Sequence, residues 1–172
     1  LTALETYDVQ CDTLVIGAGA CGLVAALAAS EQNQTALVIE RDEVPQGSTA
    51  LSAGLIPAAG TKFQRKAGIE DSPEIFAHDI QNKAENENNQ SIVDVLTQNS
   101  GRVIEWLADV HGLDFSVVTD FDYPGHSKRR MHGLPTRAGA ELIDALRTAC
   151  ESVGIDIICD RRAKSVSYTH LR

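Results

Sequence analysis

The chain has 172 residues, of which 43% are hydrophobic and 23% charged, a composition typical of globular proteins. Its net charge of -9 at pH 7 argues against a nucleic-acid partner, because phosphate contacts require clustered lysine and arginine. No apolar run reaches the roughly eighteen residues of a membrane span and no signal peptide is visible, so we expect a cytoplasmic protein without a membrane span.

The four cysteines show none of the spacings that zinc sites or redox motifs require. We therefore expect no metal site, and we interpret the thiols as small buried side chains in a reducing compartment. These residues are Cys11, Cys21, Cys150 and Cys159.

The first fifty residues follow a strand–helix–strand pattern. The apolar run Thr13–Ile16 predicts a buried parallel strand, residues 19–30 predict a helix, and residues 35–40 predict a second short strand. Together they have the size of a βαβ unit. The sequence therefore predicts the start of an α/β domain with a parallel sheet and flanking helices.

Helical periodicity dominates the middle of the chain. Asp71 or Ser72 is a candidate cap for one helix, and Ser91 for a second that Ser100-Gly101 could interrupt and Gly112 ends. The apolar side of the second helix is predicted to contain Ile92, Val95, Leu96, Val103, Ile104 and Leu107. Residues 138–152 then predict a helix and residues 155–159 a third strand, so a mainly helical insertion interrupts the α/β domain.

A GxGxxG motif, Gly17-Ala18-Gly19-Ala20-Cys21-Gly22, lies between the first strand and the first helix. In this context its glycines permit a tight turn, close approach of a pyrophosphate and close helix–strand packing. The helix N-terminus favours phosphate, and Glu40 at the end of the next strand can accept hydrogen bonds from a ribose. Glu40 also disfavours a 2′-phosphate, an effect that the neighbouring Arg41 weakens.

The stretch "GSTALSAGLIPAAGT" at residues 47–61 consists mostly of small residues and contains no charge. Its backbone N–H groups can approach a broad flat ring closely, and Ser48, Thr49 and Ser52 add hydroxyl groups. NAD-binding units usually continue directly from the acidic strand end into the next crossover. The stretch therefore favours FAD over NAD.

The block "IERDEVPQGSTALSAGLIPAAGT" resembles the FAD-contacting segment of the fumarate reductase/succinate dehydrogenase flavoprotein family. That family also includes 3-ketosteroid dehydrogenases and urocanate reductase-like enzymes. The resemblance runs from Val9 to Lys164 and includes "PGHSKRRMHG" and "TRAGAELIDAL". It implies that the flavin lies near Ser48, Thr49, Ala53, Gly54 and Leu55.

The resemblance implies a Rossmann-like FAD-binding domain and an oxidoreductase that moves a hydride between flavin N5 and an activated C–C bond. A small-molecule substrate, fumarate/succinate-like or ketosteroid-like, is implied, while the electron partner stays unassigned. The catalytic arginine and the substrate-binding His and Thr groups would lie beyond residue 165, so the chain alone is expected to be inactive. An NAD-dependent dehydrogenase and a non-catalytic nucleotide-binding module remain alternatives.

The cluster His126, Arg129, Arg130 and His132 could bind an anionic substrate through paired hydrogen bonds. We favour a simpler interpretation, in which the cluster is a solvated loop that pairs with Asp120 and Asp122.

We predict FAD-binding segments at 9–62 and 137–164, separated by a helical insertion or start of a substrate-side region at 63–136. "VSYTHLR" (166–172) resembles the translation of the sequencing adaptor GTCTCTTATACACATCTCCGA, and Ser165 also fits. We therefore expect residues 165–172 to be non-native and the chain to be an N-terminal fragment.

Overall fold

The computed structural model describes residues 9–166, which form two compact units. One unit contains residues 9–50 and 143–166, and the other contains residues 51–142. The boundaries predicted at residues 62 and 136 lie inside the second unit, and as domain boundaries they remain predictions. Most of the tail for which we expect a non-native origin, residues 167–172, lies outside the described residues.

The first unit is built on a parallel sheet of three strands in the order β1-β2-β6. The helices of this part of the chain are α1 and the single turn α2, and α6 precedes the last strand. The element bounds are β1 Thr13–Ile16, α1 Ala20–Glu31, β2 Ala36–Ile39, α2 Gly47–Ala50, α6 Gly139–Ser152 and β6 Asp156–Ile158. The predicted α/β fold with a βαβ start is confirmed.

The register of the sheet aligns the carboxyl ends of its strands. Ile16 of β1 pairs with Ile39 of β2, and Ile39 pairs with Ile158 of β6. The residues that follow each strand therefore leave the sheet at one edge, which is the edge where ligands bind in open α/β sheets.

The first strand is less buried than its continuous apolar sequence predicts. Leu14 and Ile16 are 51% and 58% exposed, because their side chains alternate with the half-buried Thr13 and Val15. On the covered face, α1 buries Leu23, Ala26 and Leu27 completely. The expectation of a strand buried on both faces is wrong for the part of the chain that the structure describes.

The second unit contains three helices and a three-stranded antiparallel sheet in the order β3-β5-β4. The sequence predicts helices here but not this sheet, since its strands have only two or three residues and show no measurable alternation. The bounds are β3 Ile56–Pro57, α3 Lys62–Lys66, α4 Pro73–Lys83, α5 Gln90–Asp109, β4 Ser116–Val117 and β5 Met131–Gly133.

Side-chain caps fix the starts of the three helices in this unit. Ser72 caps α4 through its hydroxyl group, as predicted. Thr61 and Gln64 form a capping box at α3, a T-x-x-Q pattern that the sequence analysis overlooked. The cap of α5 is Asn89 instead of Ser91, because its Oδ1 atom accepts hydrogen bonds from the first-turn N–H groups.

Helix α5 differs from the prediction in its continuity and its end. It runs through Ser100 and Gly101 without a break, and it ends at Asp109, before Gly112. The packing requires glycine at position 101, because a Cβ atom there would lie only 2.5 Å from the carbonyl oxygen of Ala59. The glycine thus allows close packing of a helix against the 58–60 segment.

The orientation of α5 also differs from the prediction. Ile104 and Leu107 are buried as predicted, together with Val93 and Thr97, whereas Ile92, Val95, Leu96 and Val103 are exposed. Sequence periodicity could not separate these two adjacent rows, because both are apolar. Among the helices within residues 9–166, none is long and apolar enough to cross a membrane.

Candidate dinucleotide site

The glycine motif forms a tight turn at the carboxyl end of β1. Gly17 has a φ of 106°, a left-handed conformation that favours glycine, and its N–H donates to the carbonyl oxygen of Ile39 at 2.8 Å. A Cβ atom at Gly22 would overlap the carbonyl oxygen of Gly17. Gly22 therefore packs α1 directly onto the turn, as the motif predicts.

Gly19 is the N-cap of α1 and has an extended backbone conformation. A Cβ atom at this position would meet only the hydroxyl oxygen of Thr49, at the ordinary distance of 3.7 Å. The fold itself thus has room for a side chain at Gly19. Gly22 differs from Gly19 in this respect, because the fold leaves no room for a side chain at Gly22.

Glu40 closes the turn from the side of β2. Its Oε2 atom accepts a hydrogen bond from the N–H of Ala18 at 2.8 Å, and its Oε1 atom accepts one from Asp42 at 3.0 Å. Burial is the largest single influence and disfavours the charged form, but the backbone donors outweigh it and lower the pKa of Glu40. The residue is therefore an ionised acceptor at the end of β2.

The side chain of Arg41 pairs with a carboxylate, whereas the sequence suggested that it could favour a 2′-phosphate. Its guanidinium group pairs with the neighbouring Asp42, at 3.0 and 3.2 Å, and both side chains are exposed. Because this pairing engages Arg41 locally, it gives no support to binding of a 2′-phosphate.

The turn α2 lies beside the first turn of α1. The Oγ1 atom of Thr49 accepts a hydrogen bond from the N–H of Ala20 at 3.2 Å. Ser48 and Cys21 are both exposed, so the expectation of a buried thiol is wrong for Cys21. The first unit brings together Gly17, Ala18, Gly19, Ala20, Cys21, Gly22, Glu40, Arg41, Ser48 and Thr49.

A cleft of about 200 Å³ adjoins this turn, and part of its lining was not predicted from the sequence. The segment after β6 contributes Arg161, Arg162 and Ala163, and the N–H of Arg161 donates to the carbonyl oxygen of Glu40 at 2.8 Å. The signal was available, since a third parallel strand must deliver the residues that follow it to the same sheet edge.

The remaining predicted site residues belong to the second unit. The Oγ atom of Ser52 accepts from the N–H of Gly54 at 3.0 Å, Ala53 is exposed, and Leu55 packs against Gly133. Gly54 is buried with a φ of 62°, and a Cβ atom there would lie 2.8 Å from the carbonyl oxygen of Ala138. Close backbone packing therefore explains why position 54 is occupied by glycine.

The basic cluster at 126–132 is only partly the solvated loop that we favoured. Arg129 is exposed and pairs with Asp122 at 2.6 Å, as expected. Arg130, in contrast, is completely buried and pairs with Asp71 at 2.9 and 3.0 Å and with Asp79 at 2.5 Å. The two arginines directly precede β5, and the structure exposes the first and buries the second.

His132 is also buried, so the solvated-loop interpretation is wrong for this residue too. Its Nε2 and Nδ1 atoms lie 2.8 Å from Thr61 Oγ1 and 2.9 Å from the carbonyl oxygen of Arg130. Neither Arg130 nor His132 is available to an anionic substrate. Among the cluster, Arg129 and His126 are the members that retain exposed surface.

The FAD binding domain family matches residues 12–170. The chain belongs to this family. That match decides between the FAD and NAD alternatives in favour of FAD. The cofactor is also compatible with the geometry, because the turn offers the glycine contacts, the helix N-terminus and the carboxylate that a dinucleotide requires.

The chain is similar to oxidoreductases. The chain is 31% identical over 166 residues to an NADH:fumarate oxidoreductase of Klebsiella pneumoniae, covering 95% of this chain and 17% of the relative. It is 31% identical over 125 residues to a urocanate reductase of Eggerthella lenta, covering 73% and 20%.

A solved structure gives the same result. The open conformation of a flavocytochrome c3 fumarate reductase superimposes with a TM-score of 0.78 at 30% identity, covering 87% of this chain and 26% of that one. The chain thus spans about a sixth to a quarter of the length of these relatives. It corresponds to part of the FAD-binding domain of such flavoenzymes.

Proposed function

We propose that this chain is the FAD-binding portion of an oxidoreductase that moves a hydride between flavin N5 and an activated C–C bond. The observation that carries the proposal is the Gly17–Gly22 turn, where the cap of α1, the Glu40 carboxylate and the Thr49 hydroxyl converge. A pyrophosphate would lie at the N-terminus of α1, since the helix end offers N–H groups and a favourable dipole.

The adenosine half of FAD would occupy the cleft beside Glu40. Its ribose hydroxyls would displace the N–H of Ala18 from the carboxylate or share the carboxylate with it, because a carboxylate accepts several hydrogen bonds. Arg161 and Arg162 line the same cleft and would offset the diphosphate charge. Ser52, Ala53, Gly54 and Leu55 would contact the flavin ring, as the family resemblance implies.

When bound, FAD supplies the hydride chemistry, and the chain binds and orients it. The substrates of the relatives, fumarate and urocanate, are small molecules with a conjugated carboxylate, so we propose a small anionic substrate of this kind. No residue of this chain is assigned a catalytic role. A cytoplasmic location is part of the proposal, supported by four unpaired cysteines.

The test is a titration of the purified chain with FAD, followed by flavin fluorescence, with competition by ADP and by NAD. We expect saturable, reversible FAD binding that gel filtration removes, competition by ADP, and weaker competition by NAD. Gly19→Ala should weaken FAD binding at least about tenfold, since the added methyl group blocks close approach of the pyrophosphate.

The matched control is Ala25→Ser, an equally small change on the exposed face of α1. It should leave FAD binding unchanged. The site assignment is wrong if Gly19→Ala binds FAD as the wild type does, or if NAD competes better than ADP. With fumarate and a reduced viologen as donor, the FAD-loaded chain should show no turnover.

A further inference from the structure

The segment that would contact the flavin ring has no helix or strand of its own. Residues 53–55 lie between α2 and β3 in the sequence, so their conformation depends on the residues that they contact. The carbonyl oxygen of Ser52, just before them, accepts a hydrogen bond from the N–H of Gly139 at 2.8 Å. Leu55 packs against Gly133, where a Cβ atom would lie 2.5 Å from Leu55 Cδ2. Strand β5, which contains Gly133, therefore supports this segment.

Strand β3 continues the segment and is attached to β5 by a short pairing. It has two residues, and Ile56 lies opposite His132 in the register. The N–H of Ala58, just after β3, donates to the carbonyl oxygen of Arg130 at 2.9 Å. A pairing this short has few backbone hydrogen bonds, so side-chain contacts carry much of its stability.

His132 supplies such a contact at the far end of the same stretch. Its backbone lies opposite Ile56, while its Nε2 atom lies 2.8 Å from the Oγ1 atom of Thr61. The imidazole also contacts the edge of the Phe63 ring, with 5.8 Å between the ring centroids. His132 and Thr61 are both completely buried. One residue of β5 therefore holds both ends of the stretch 56–61.

The position of the imidazole is in turn fixed by Arg130. The carbonyl oxygen of Arg130 lies 2.9 Å from the Nδ1 atom of His132, and its guanidinium group is held by Asp71 and Asp79. Both nitrogen atoms of the imidazole thus have a hydrogen-bond partner. A buried polar network that is fully satisfied favours a single conformation.

We propose that Thr61 and His132 are positioning residues for the flavin ring, because their hydrogen bond holds residues 52–55 in the conformation that receives it. This role rests on the proposed function, in which these residues contact the flavin. Each of the two side chains acts through the backbone of the segment and takes no part in the chemistry. The ADP half of FAD would lie at the glycine turn, whose residues belong to the first unit. Loss of the hydrogen bond should therefore weaken the binding of FAD and spare that of ADP.

The test compares the FAD and ADP affinities of the wild type and Thr61→Val, which keeps the shape of the side chain and removes its hydroxyl group. We expect Thr61→Val to bind FAD at least about tenfold more weakly, with an ADP affinity within about twofold of the wild type. The visible absorption band of the FAD that does bind should shift less, since the ring is held less firmly. Thr61→Ser keeps the hydroxyl group and should restore the wild-type affinity.

Thr61 also caps α3, so the matched control must lose a cap without losing the contact to His132. Ser72→Ala does this in the same unit, because Ser72 caps α4 through its hydroxyl group. It should keep the wild-type FAD affinity and absorption band. His132→Asn is the second variant, which leaves the capping hydroxyl of α3 in place and should weaken FAD binding as Thr61→Val does. Because both changes remove the same hydrogen bond, the double variant should bind FAD about as weakly as either single variant.

Hydrogen–deuterium exchange of the chain without ligand gives an independent readout. Thr61→Val should speed exchange in peptides that cover residues 52–60, whereas Ser72→Ala should not. Equal FAD affinities of the wild type and Thr61→Val, equal losses in Thr61→Val and Ser72→Ala, or parallel losses of FAD and ADP affinity would overturn this role and leave the proposed function intact. A wild type that binds no FAD would overturn the proposed function itself, and this role with it.

Discussion

The Nε2 atom of His132 lies 2.8 Å from the Oγ1 atom of Thr61, and both side chains are completely buried. The Nδ1 atom faces the carbonyl oxygen of Arg130, which can only accept, so Nδ1 carries the proton and Nε2 accepts from the threonine hydroxyl. Thr61 Oγ1 also accepts from the N–H of Gln64 at 3.1 Å. A neutral imidazole with a fixed tautomer therefore joins β5 to the cap of α3.

We predict that the free energy of unfolding falls as the pH drops below about 6.5. Burial is the main cause of the lowered pKa of His132, and it lowers that of His126 as well. Below the ordinary value of 6.5 the unfolded chain binds more protons than the folded chain, so stability declines until the lowered folded pKa is passed. Urea denaturation at pH 7.5, 6.5 and 5.5 measures the effect, at most about 1.4 kcal/mol per pH unit for each histidine.

His132→Asn should flatten this dependence, although the variant will be less stable at every pH. His78→Asn, on the exposed side of α4, serves as the control and should keep the wild-type slope. If both variants keep the wild-type slope, the pH dependence does not originate at His132.

Arg130→Met should destabilise the chain by about 3–5 kcal/mol, because it leaves the buried carboxylates of Asp71 and Asp79 without their partner. Arg129→Met is the matched control, since it removes the adjacent arginine from an exposed ion pair, and little change is expected. Urea denaturation at pH 7.5 compares the two. Equal losses would contradict the exposure of Arg129 and the burial of Arg130.

Gly22→Ala should destabilise the first unit by about 1–3 kcal/mol, because the added methyl group would overlap the carbonyl oxygen of Gly17. Gly19→Ala should leave the midpoint of thermal unfolding nearly unchanged, since the added Cβ atom would meet only the Thr49 hydroxyl, at the ordinary distance of 3.7 Å. A thermal melt without FAD distinguishes a glycine that the fold requires from one that the ligand requires. The distinction fails if the two variants melt alike.

FAD should protect Cys21 from alkylation. Cys21 is exposed in the first turn of α1, whereas Cys11 lies before β1, at the opposite edge of the sheet, and serves as the internal control. Burial raises the pKa of the Cys150 thiol to about 11, so Cys150 should not react until the chain unfolds. Mass spectrometry after iodoacetamide treatment measures each site. Equal protection of Cys11 and Cys21 would argue against a ligand at the glycine turn.

Local signals were sufficient for the cofactor turn. The spacing Gly17-x-Gly19-x-x-Gly22 between a strand and a helix, with Glu40 after the next strand, predicted the turn and its carboxylate because all these parts lie within one βαβ unit. The cap at Ser72 was predicted for the same reason, since a cap and its helix are adjacent in sequence.

The failures involve partners that are distant in sequence. Arg130 and Asp71 are separated by fifty-nine residues, so no local pattern could reveal that this arginine is buried, and Arg129 beside it looks identical in sequence. The same holds for the short strands β3, β4 and β5, which exist only through their pairing.

The sequence by itself determined the α/β start, the dinucleotide turn and the membership of a flavoprotein family, because these depend on short-range spacing and on backbone conformations that glycine alone adopts easily. Only the tertiary structure decided which of two apolar rows of α5 is buried, which arginine of the pair at 129–130 is exposed, and that Arg161 and Arg162 reach the cleft beside Glu40. Burial is a property of the packed chain, and sequence periodicity reports only what a residue could bury.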